Sequence, residues 1–343
     1  MFETVVKRVR GFRAKARRAA KRSPALTDAY RRATALYHGL RLRGVVNPRA
    51  GGVDAAGMVW IFGSGRSGST WLRRMMAEMP AHRVWEEPMV GALFGEFYAR
   101  APGENLRSKD YVMGEPIRCG WIQSVRNFVL DGARYSNPDL KTGEYLIVKE
   151  PNGSVGAPLL MEALPEARMV LLVRDPRDVV ASVLDAARKG GWLYESRDEA
   201  AGKRREAADR KPTAFVRERA NAYRRGVESA GRAYDAHRGR KVLIRYEDLR
   251  ADTLGTMKRL YSALGIPAGE EELRRAVEKH SWENIPTEDK GEGKSHRKAT
   301  PGGWRDDLTP SQARVVEKIT APLLDRFILD GTPQTRSGSA ARR

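Results

Sequence analysis

Residues 61–72 read IFGSGRSGSTWL: an apolar run, a glycine-rich turn and a helix-forming stretch in direct succession. In that order a strand delivers a turn whose backbone N–H groups face an anion at a helix N-terminus. Gly63 and Gly68 have the separation of the nucleoside-triphosphatase pattern G-x-x-x-x-G-K-[ST], but Ser69 stands where the lysine should be. The one basic residue, Arg66, lies inside the turn instead. Losing the lysine argues against triphosphate hydrolysis, because that side chain reaches the β- and γ-phosphates. The backbone N–H groups, the hydroxyls of Ser67, Ser69 and Thr70, and Arg66 still make an anion site. Such a turn also serves as a plain strand–helix connection, and the hydroxyls, Arg66 and the following Trp71 set this one apart. Trp71 either stacks on a purine or is an ordinary buried helix residue.

Working outward, Met58–Phe62 reads as a buried strand and Thr70–Met79 as a helix stopped by Pro80. Apolar runs at Tyr145–Val148, Met169–Val173 and Val242–Ile244 read as three more strands. Helices are expected from Pro176 to about Lys189, at about 252–264 and at about 269–281. Continuous apolar strands separated by helices predict an α/β fold of three layers, with a central parallel sheet flanked by helices. Residues 195–235 are charged and helix-forming with a break at Pro212, which predicts an outer helical insertion or lid within about 190–240. A Pro/Gly linker at 45–52 separates a leader (1–50) from a domain over 51–330. The tail, 331–343, has the composition of disorder.

The 343 residues carry a net charge of +20, of which +12 sits in residues 1–50: 14 Lys and Arg against Glu3 and Asp28. A charge gathered this way marks an interaction arm, not a basic domain. The arm is either solvated and disordered or, from the spacing of Phe2, Val5, Val6, Val9 and Phe12, an amphipathic helix in peripheral membrane contact through residues 1–45. The single cysteine, Cys119, fits a reducing, cytoplasmic setting, with association to the cytoplasmic face of a membrane if the arm binds lipid. No apolar run is long enough to span a bilayer.

The segment VLLVRDPRDVVASVL (170–184) supplies a second anion-binding element. Arg174 ends a strand, Asp175 can cap the next helix, and Pro176 suits its first position. Ser182 lies eight residues after Arg174 on that helix, so both can converge on one anion. Alternatively, Asp175, Arg177 and Asp178 form only a charged helix start.

Together, GSGRSGSTW and VRDPRDVVAS resemble the two nucleotide-binding motifs of sulfotransferases that use 3′-phosphoadenosine-5′-phosphosulfate (PAPS). The resemblance implies a P-loop-like fold and PAPS as co-substrate, with no metal. It assigns Arg66, Ser67, Gly68, Ser69 and Thr70 to the 5′-phosphosulfate, Trp71 to the adenine, and Arg174 and Ser182 to the 3′-phosphate. Residues 297–305, RKATPGGWR, resemble the family's R-K-G-x-x-G-D-W-K segment, which adds Arg297 and Lys298; Ala299 and Gly303 depart from it. Tyr246, in IRYEDL, resembles the family's Y-E-D-L strand end near the nucleotide. The matches fall in the family's order between residues 58 and about 305.

Sulfuryl transfer needs a base for the acceptor hydroxyl and a stabiliser of charge on the bridging oxygen. The resemblance points to Arg66 for the leaving group. The family's K-T-H stretch reads Val148-Lys149-Glu150-Pro151 here, so its histidine is absent while Lys149 is kept. Branches acting on carbohydrates and protein tyrosine use a glutamate soon after the first motif, a position filled by Glu86 and Glu87; Glu87 is preferred. The expected acceptor is a hydroxyl on a small molecule, glycan or lipid, with a carbohydrate or glycolipid favoured and no specific nucleic acid. The competing readings are a nucleotide kinase using ATP and Mg²⁺, and a non-catalytic basic protein binding membrane or RNA through its leader.

Overall fold

The structure is a computed structural model that describes residues 53–188, 208–287, 290–291 and 300–329. The leader (1–50), the first part of the expected insertion (190–207), Arg297, Lys298 and the tail from Gly331 lie outside the described residues.

Five strands form one sheet: β1 (Met58–Gly63), β2 (His82–Glu86), β3 (Tyr145–Lys149), β4 (Arg168–Val173) and β5 (Lys241–Arg245). Their order is β2-β3-β1-β4-β5 and every neighbouring pair is parallel. Every residue of β1 is buried, as are the last five of β4. Strands covered on both faces must be apolar throughout, which is why these two are continuous apolar runs in the sequence.

The principal helices are α1 (Ser69–Ala77), α2 (Val90–Ala99), α3 (Arg118–Ser136), α4 (Ala157–Ala163), α5 (Pro176–Ala187), α6 (Pro212–Ala236), α7 (Tyr246–Ala251), α8 (Thr253–Leu264), α9 (Glu270–Lys279) and α10 (Pro310–Leu324). The expected α/β architecture is the one observed. One face of the sheet packs on α1 and α8 through Val59, Ile61, Leu72, Met76, Met257 and Leu260. Where α3 ends, the Asn137 N–H donates to Ala133 O at 2.9 Å.

Two differences from the sequence reading matter for the site. Strand β2 was not expected: HRVWE is an edge strand with mixed burial and has no apolar run to announce it. Helix α6, expected as part of an outer insertion, is instead a core element. Pro212 is its first residue, set off by Lys211 from the helical residues 208–210 at the break the sequence predicts, and Phe215, Val216, Ala220, Tyr223, Val227 and Ala230 form a buried stripe at helical spacing. The many charges on its other face hid that stripe from a reading of composition.

From β1 the chain crosses to the edge at β2, returns through β3, and then passes to β4 on the far side of β1. Strand order therefore reverses around β1, and a crevice opens beyond the carboxyl ends there. All five strand ends point their following residues at that edge: Gly63 onward, Glu86–Glu87, Lys149–Glu150, Arg174 and Tyr246.

Candidate functional site

The loop after β1 takes its shape from two glycines. At Gly63 (φ 151°) a Cβ would lie 2.1 Å from Leu172 O, and at Gly68 (φ 95°) it would lie 2.6 Å from the Tyr246 ring. Any side chain would collide at both, so the loop passes directly over β4 and under Tyr246. The Gly63 N–H donates to Ser154 Oγ at 2.9 Å. Arg66 is a non-glycine residue in the left-handed region (φ 68°). Ser67 turns inward: it is buried, and its hydroxyl donates to Ser64 O at 2.6 Å. Ser67 thus serves the loop's own structure, whereas Arg66, Gly68, Ser69, Thr70 and Trp71 line a cavity of about 470 Å³.

The two sequence motifs meet in that cavity. Arg66 Nε donates to Ser182 Oγ at 3.0 Å, and Arg174 Nη1 donates to Arg66 O at 3.0 Å. Arg174 lies flat over Tyr246, 4.2 Å from the ring centroid, and Trp71 meets Tyr246 edge-on at 6.3 Å. Trp71 is held by its indole N–H, which donates to His280 O at 2.8 Å. The buried Nε atoms of Arg174 and Arg250, both residues of the cavity wall, have no hydrogen-bond partner among the described residues. Among the described residues, a wall bearing Arg66, Arg74, Arg174, Arg250 and Lys279 against the single acid Asp178 suits a polyanion. Trp282, Asn284, Ile285 and Pro286 also line it.

Asp178 does more than open a helix. It is buried, its Oδ2 accepts from the Gly302 N–H at 2.8 Å, and its Oδ1 accepts from the Trp304 N–H at 3.0 Å. It therefore ties the segment that follows Arg297 and Lys298 to α5, beside Arg174. Burial pushes its carboxyl above the usual range, and the Arg174 charge opposes that shift. Asp175 caps α5 as expected, accepting from the Arg177 N–H at 2.8 Å. Glu247 accepts from the Asp175 N–H at 3.0 Å and Tyr223 Oη donates to Arg174 O at 2.7 Å, so α7 and α6 both fix the turn after β4.

Glu86, Glu87 and Lys149 gather at the ends of β2 and β3, outside the wall of the large cavity. Glu86 and Lys149 are register partners across the two strands. Lys149 Nζ, nearly buried, donates to Glu87 Oε1 at 2.6 Å and Glu86 Oε1 at 2.9 Å. Glu86 Oε2 pairs with Arg73 at 2.8 Å, so both of its oxygens are engaged in ion pairs. Among the described residues, Glu87 Oε2 accepts only an amide N–H, from Asn152 at 3.1 Å. Glu87 (φ 43°) and Met89 (φ 60°) are left-handed, a local strain of the kind that collects at functional sites. Asn152 also lines a smaller cavity of about 210 Å³ with Ser64, Gly65, Glu96 and Arg219, on the other flank of the β1 loop.

Glu150 follows Lys149 directly beyond the end of β3. It is fully buried and accepts backbone N–H bonds from Met89 and Gly91, each at 3.0 Å, holding the start of α2 against β3. Burial pushes its carboxyl up to about 7. Among the described residues no group of three His, Cys, Asp or Glu side chains is arranged to hold a metal ion.

Residues 59–270 match the model of a family described as the sulfotransferase family. Over 187 residues, 48% of this chain, the sequence is 28% identical to carbohydrate sulfotransferase 2 of Mus musculus and of Homo sapiens. The chain covers only 35% of the length of those curated relatives. Sulfotransferase STF9 from Mycobacterium avium, a solved structure, is 17% identical with a TM-score of 0.53 over 88% of this chain and 84% of that one, a likeness of fold.

Proposed function

We propose, on the premise that this chain belongs to the sulfotransferase family, that it moves the sulfuryl group of PAPS to a hydroxyl on a carbohydrate or glycolipid. The observation that carries the reading is the convergence of Arg66, Ser182 and Arg174 at one cavity wall. Two anion-binding motifs more than 100 residues apart meet at one cavity, which suits a ligand with phosphates at two positions. Buried guanidinium N–H groups without partners are costly unless an anion takes them up, which fits PAPS.

In this reading Gly68, Ser69 and Thr70 hold the 5′-phosphosulfate at the N-terminus of α1. Arg174 and Ser182 hold the 3′-phosphate, with Arg297 and Lys298 joining from the segment that Asp178 anchors. Trp71 and Tyr246 flank the adenine. Arg66, the residue expected at the leaving group, directs its Nε to Ser182, which brings it to the 3′-phosphate side as well. Lys149 then becomes the cation nearest the carboxylates and the better candidate for charge on the transferring group.

The chemistry is a direct displacement. The acceptor oxygen bonds to sulfur as the bond from sulfur to the bridging phosphate oxygen breaks, which releases adenosine 3′,5′-bisphosphate. The hydroxyl proton passes to a carboxylate. Glu87 suits that role better than Glu86, because one of its oxygens meets only a neutral amide whereas both oxygens of Glu86 are paired with cations. Asn152 links Glu87 to the smaller cavity, which suits the head of the acceptor. The carbohydrate preference draws on the names of the curated relatives and on a glutamate in the base position. A cytoplasmic setting belongs to the same proposal; no described helix is long and apolar enough to cross a membrane.

Calorimetry tests the nucleotide directly. Adenosine 3′,5′-bisphosphate should bind without Mg²⁺ and more tightly than ATP. Tighter, Mg²⁺-dependent ATP binding would return the chain to the kinase reading.

A further inference from the structure

Helix α2 is amphipathic in the wrong sense for a surface helix of a globular protein. Its buried residues are Val90, Gly91 and Gly95. A Cβ at Gly91 would lie 2.2 Å from Gly153 O, and one at Gly95 would lie 2.4 Å from the Gly156 N atom, so the helix backbone rests flush on residues 151–156. The large apolar side chains face outward: Met89 is 42% exposed, Leu93 55% and Phe97 52%. These positions are four apart and form one stripe. Phe97 stacks on Tyr111 at 6.0 Å beside the exposed Val112, and Phe94 packs edge-on against the exposed Phe128 at 5.3 Å. A contiguous exposed apolar patch of this kind marks a binding surface.

We propose that this face binds the alkyl portion of an amphiphilic acceptor whose hydroxyl reaches Glu87. The inference rests on the sulfotransferase reading and narrows its acceptor to a lipid-linked hydroxyl. Continuity with the carboxylate cluster is the first argument. Met89 stands two residues beyond Glu87, and Glu150, next to Lys149, clamps its N–H, so the stripe starts at the transfer centre. From there it runs about 12 Å to Phe97 at the helical rise. Size is the second argument. Five large side chains at about half exposure offer on the order of 500 Å², short of the roughly 800 Å² that each partner of a stable dimer buries. At roughly 30 Å² per methylene, an alkyl chain of about sixteen carbons matches such a face. Chemistry is the third. Met89, Leu93 and Phe97 carry no hydrogen-bonding group, so a sugar ring laid there would lose its hydroxyls' partners.

Photolabelling of the full chain tests the assignment. With adenosine 3′,5′-bisphosphate bound, a long-chain primary alcohol carrying a diazirine should label peptides within residues 89–112. The double variant Leu93→Ser/Phe97→Ser should lower that labelling about tenfold or more and leave nucleotide binding by calorimetry unchanged. Labelling spread over the surface, or equal in the variant, overturns the proposal. So does a dimer by light scattering that the variant dissociates, which would assign the face to a second copy. Glucose that competes with the probe as well as octyl glucoside does would assign it to a glycan and overturn it too. Nucleotide binding with scattered labelling removes this inference alone; labelling of α2 without nucleotide binding removes the transferase reading and, with it, the assignment of this face to an acceptor.

Discussion

The carboxyl edge of the sheet has two halves, and they are built differently. Beyond β1, β4 and β5 lie glycines, hydroxyls and arginines around a roomy cavity, with Arg174 and Arg250 each holding a buried N–H that lacks a partner among the described residues. Beyond β2 and β3 lie two carboxylates neutralised by one lysine and Arg73 in close ion pairs. The first half carries unspent hydrogen-bond donors and awaits a polyanion. The second is internally satisfied and needs only to exchange a proton. A site that binds one substrate and activates another divides its electrostatics in this way.

Substituting the proposed base is the sharpest way to break that contrast. Glu87→Gln should lower kcat by about 10²- to 10⁴-fold while nucleotide affinity by calorimetry stays put; Glu86→Gln should do less. Unchanged turnover in Glu87→Gln would remove Glu87 from the chemistry and dissolve the contrast.

On the other half, Arg174→Ala should weaken adenosine 3′,5′-bisphosphate by about 10- to 100-fold through loss of charged hydrogen bonds. Adenosine 5′-phosphate, which lacks the 3′-group, should lose far less. Equal losses for the two nucleotides would reassign Arg174 away from the 3′-phosphate. Asp178→Asn places an amide group where two backbone N–H groups converge, and should cost about 1–2 kcal/mol. It should be read as weaker nucleotide binding with acceptor KM unaltered. A raised acceptor KM at unchanged nucleotide affinity would show that the Gly302–Trp304 segment serves the other half.

Glu150 is the buried acid of the second half, and its effect is on stability. Its carboxyl lies at about 7 in the folded chain, above an ordinary glutamate. The folded state therefore holds the proton more tightly, and the contribution is fully present below about pH 4.5 and lost as pH rises through about 7. Up to about 3 kcal/mol is involved. Denaturant midpoints across that window should fall with pH in the wild type relative to Glu150→Gln, which should be flatter; parallel profiles would place the proton elsewhere.

The halves also differed in how far they could be read beforehand. The nucleotide half was nearly complete in the sequence, because its donors come from contiguous turns: Gly63–Thr70 after one apolar strand and Arg174–Ser182 after another. The inward turn of Ser67, the pinning role of Asp178, and the places of Arg74, Arg250 and Lys279 in the cavity wall escaped. In the carboxylate half, Glu86, Glu87 and Lys149 were nominated by resemblance alone. Their mutual contact depends on β2, an edge strand with no apolar signature, pairing in register with β3. Helix α6 was misjudged as an outer element because a stripe of small and aromatic residues was outnumbered by arginines.

By itself, then, the amino-acid sequence determined the parallel sheet, the anion-binding turns and their order, since apolar periodicity and glycine spacing are local properties. Tertiary structure alone decided that Arg66 meets Ser182, that Glu87 rather than Glu86 keeps an oxygen clear of cations, and that α2 turns its glycines in and its large apolar residues out. Those outcomes depend on register and on how closely two backbones approach, and neither is encoded in any one stretch of chain.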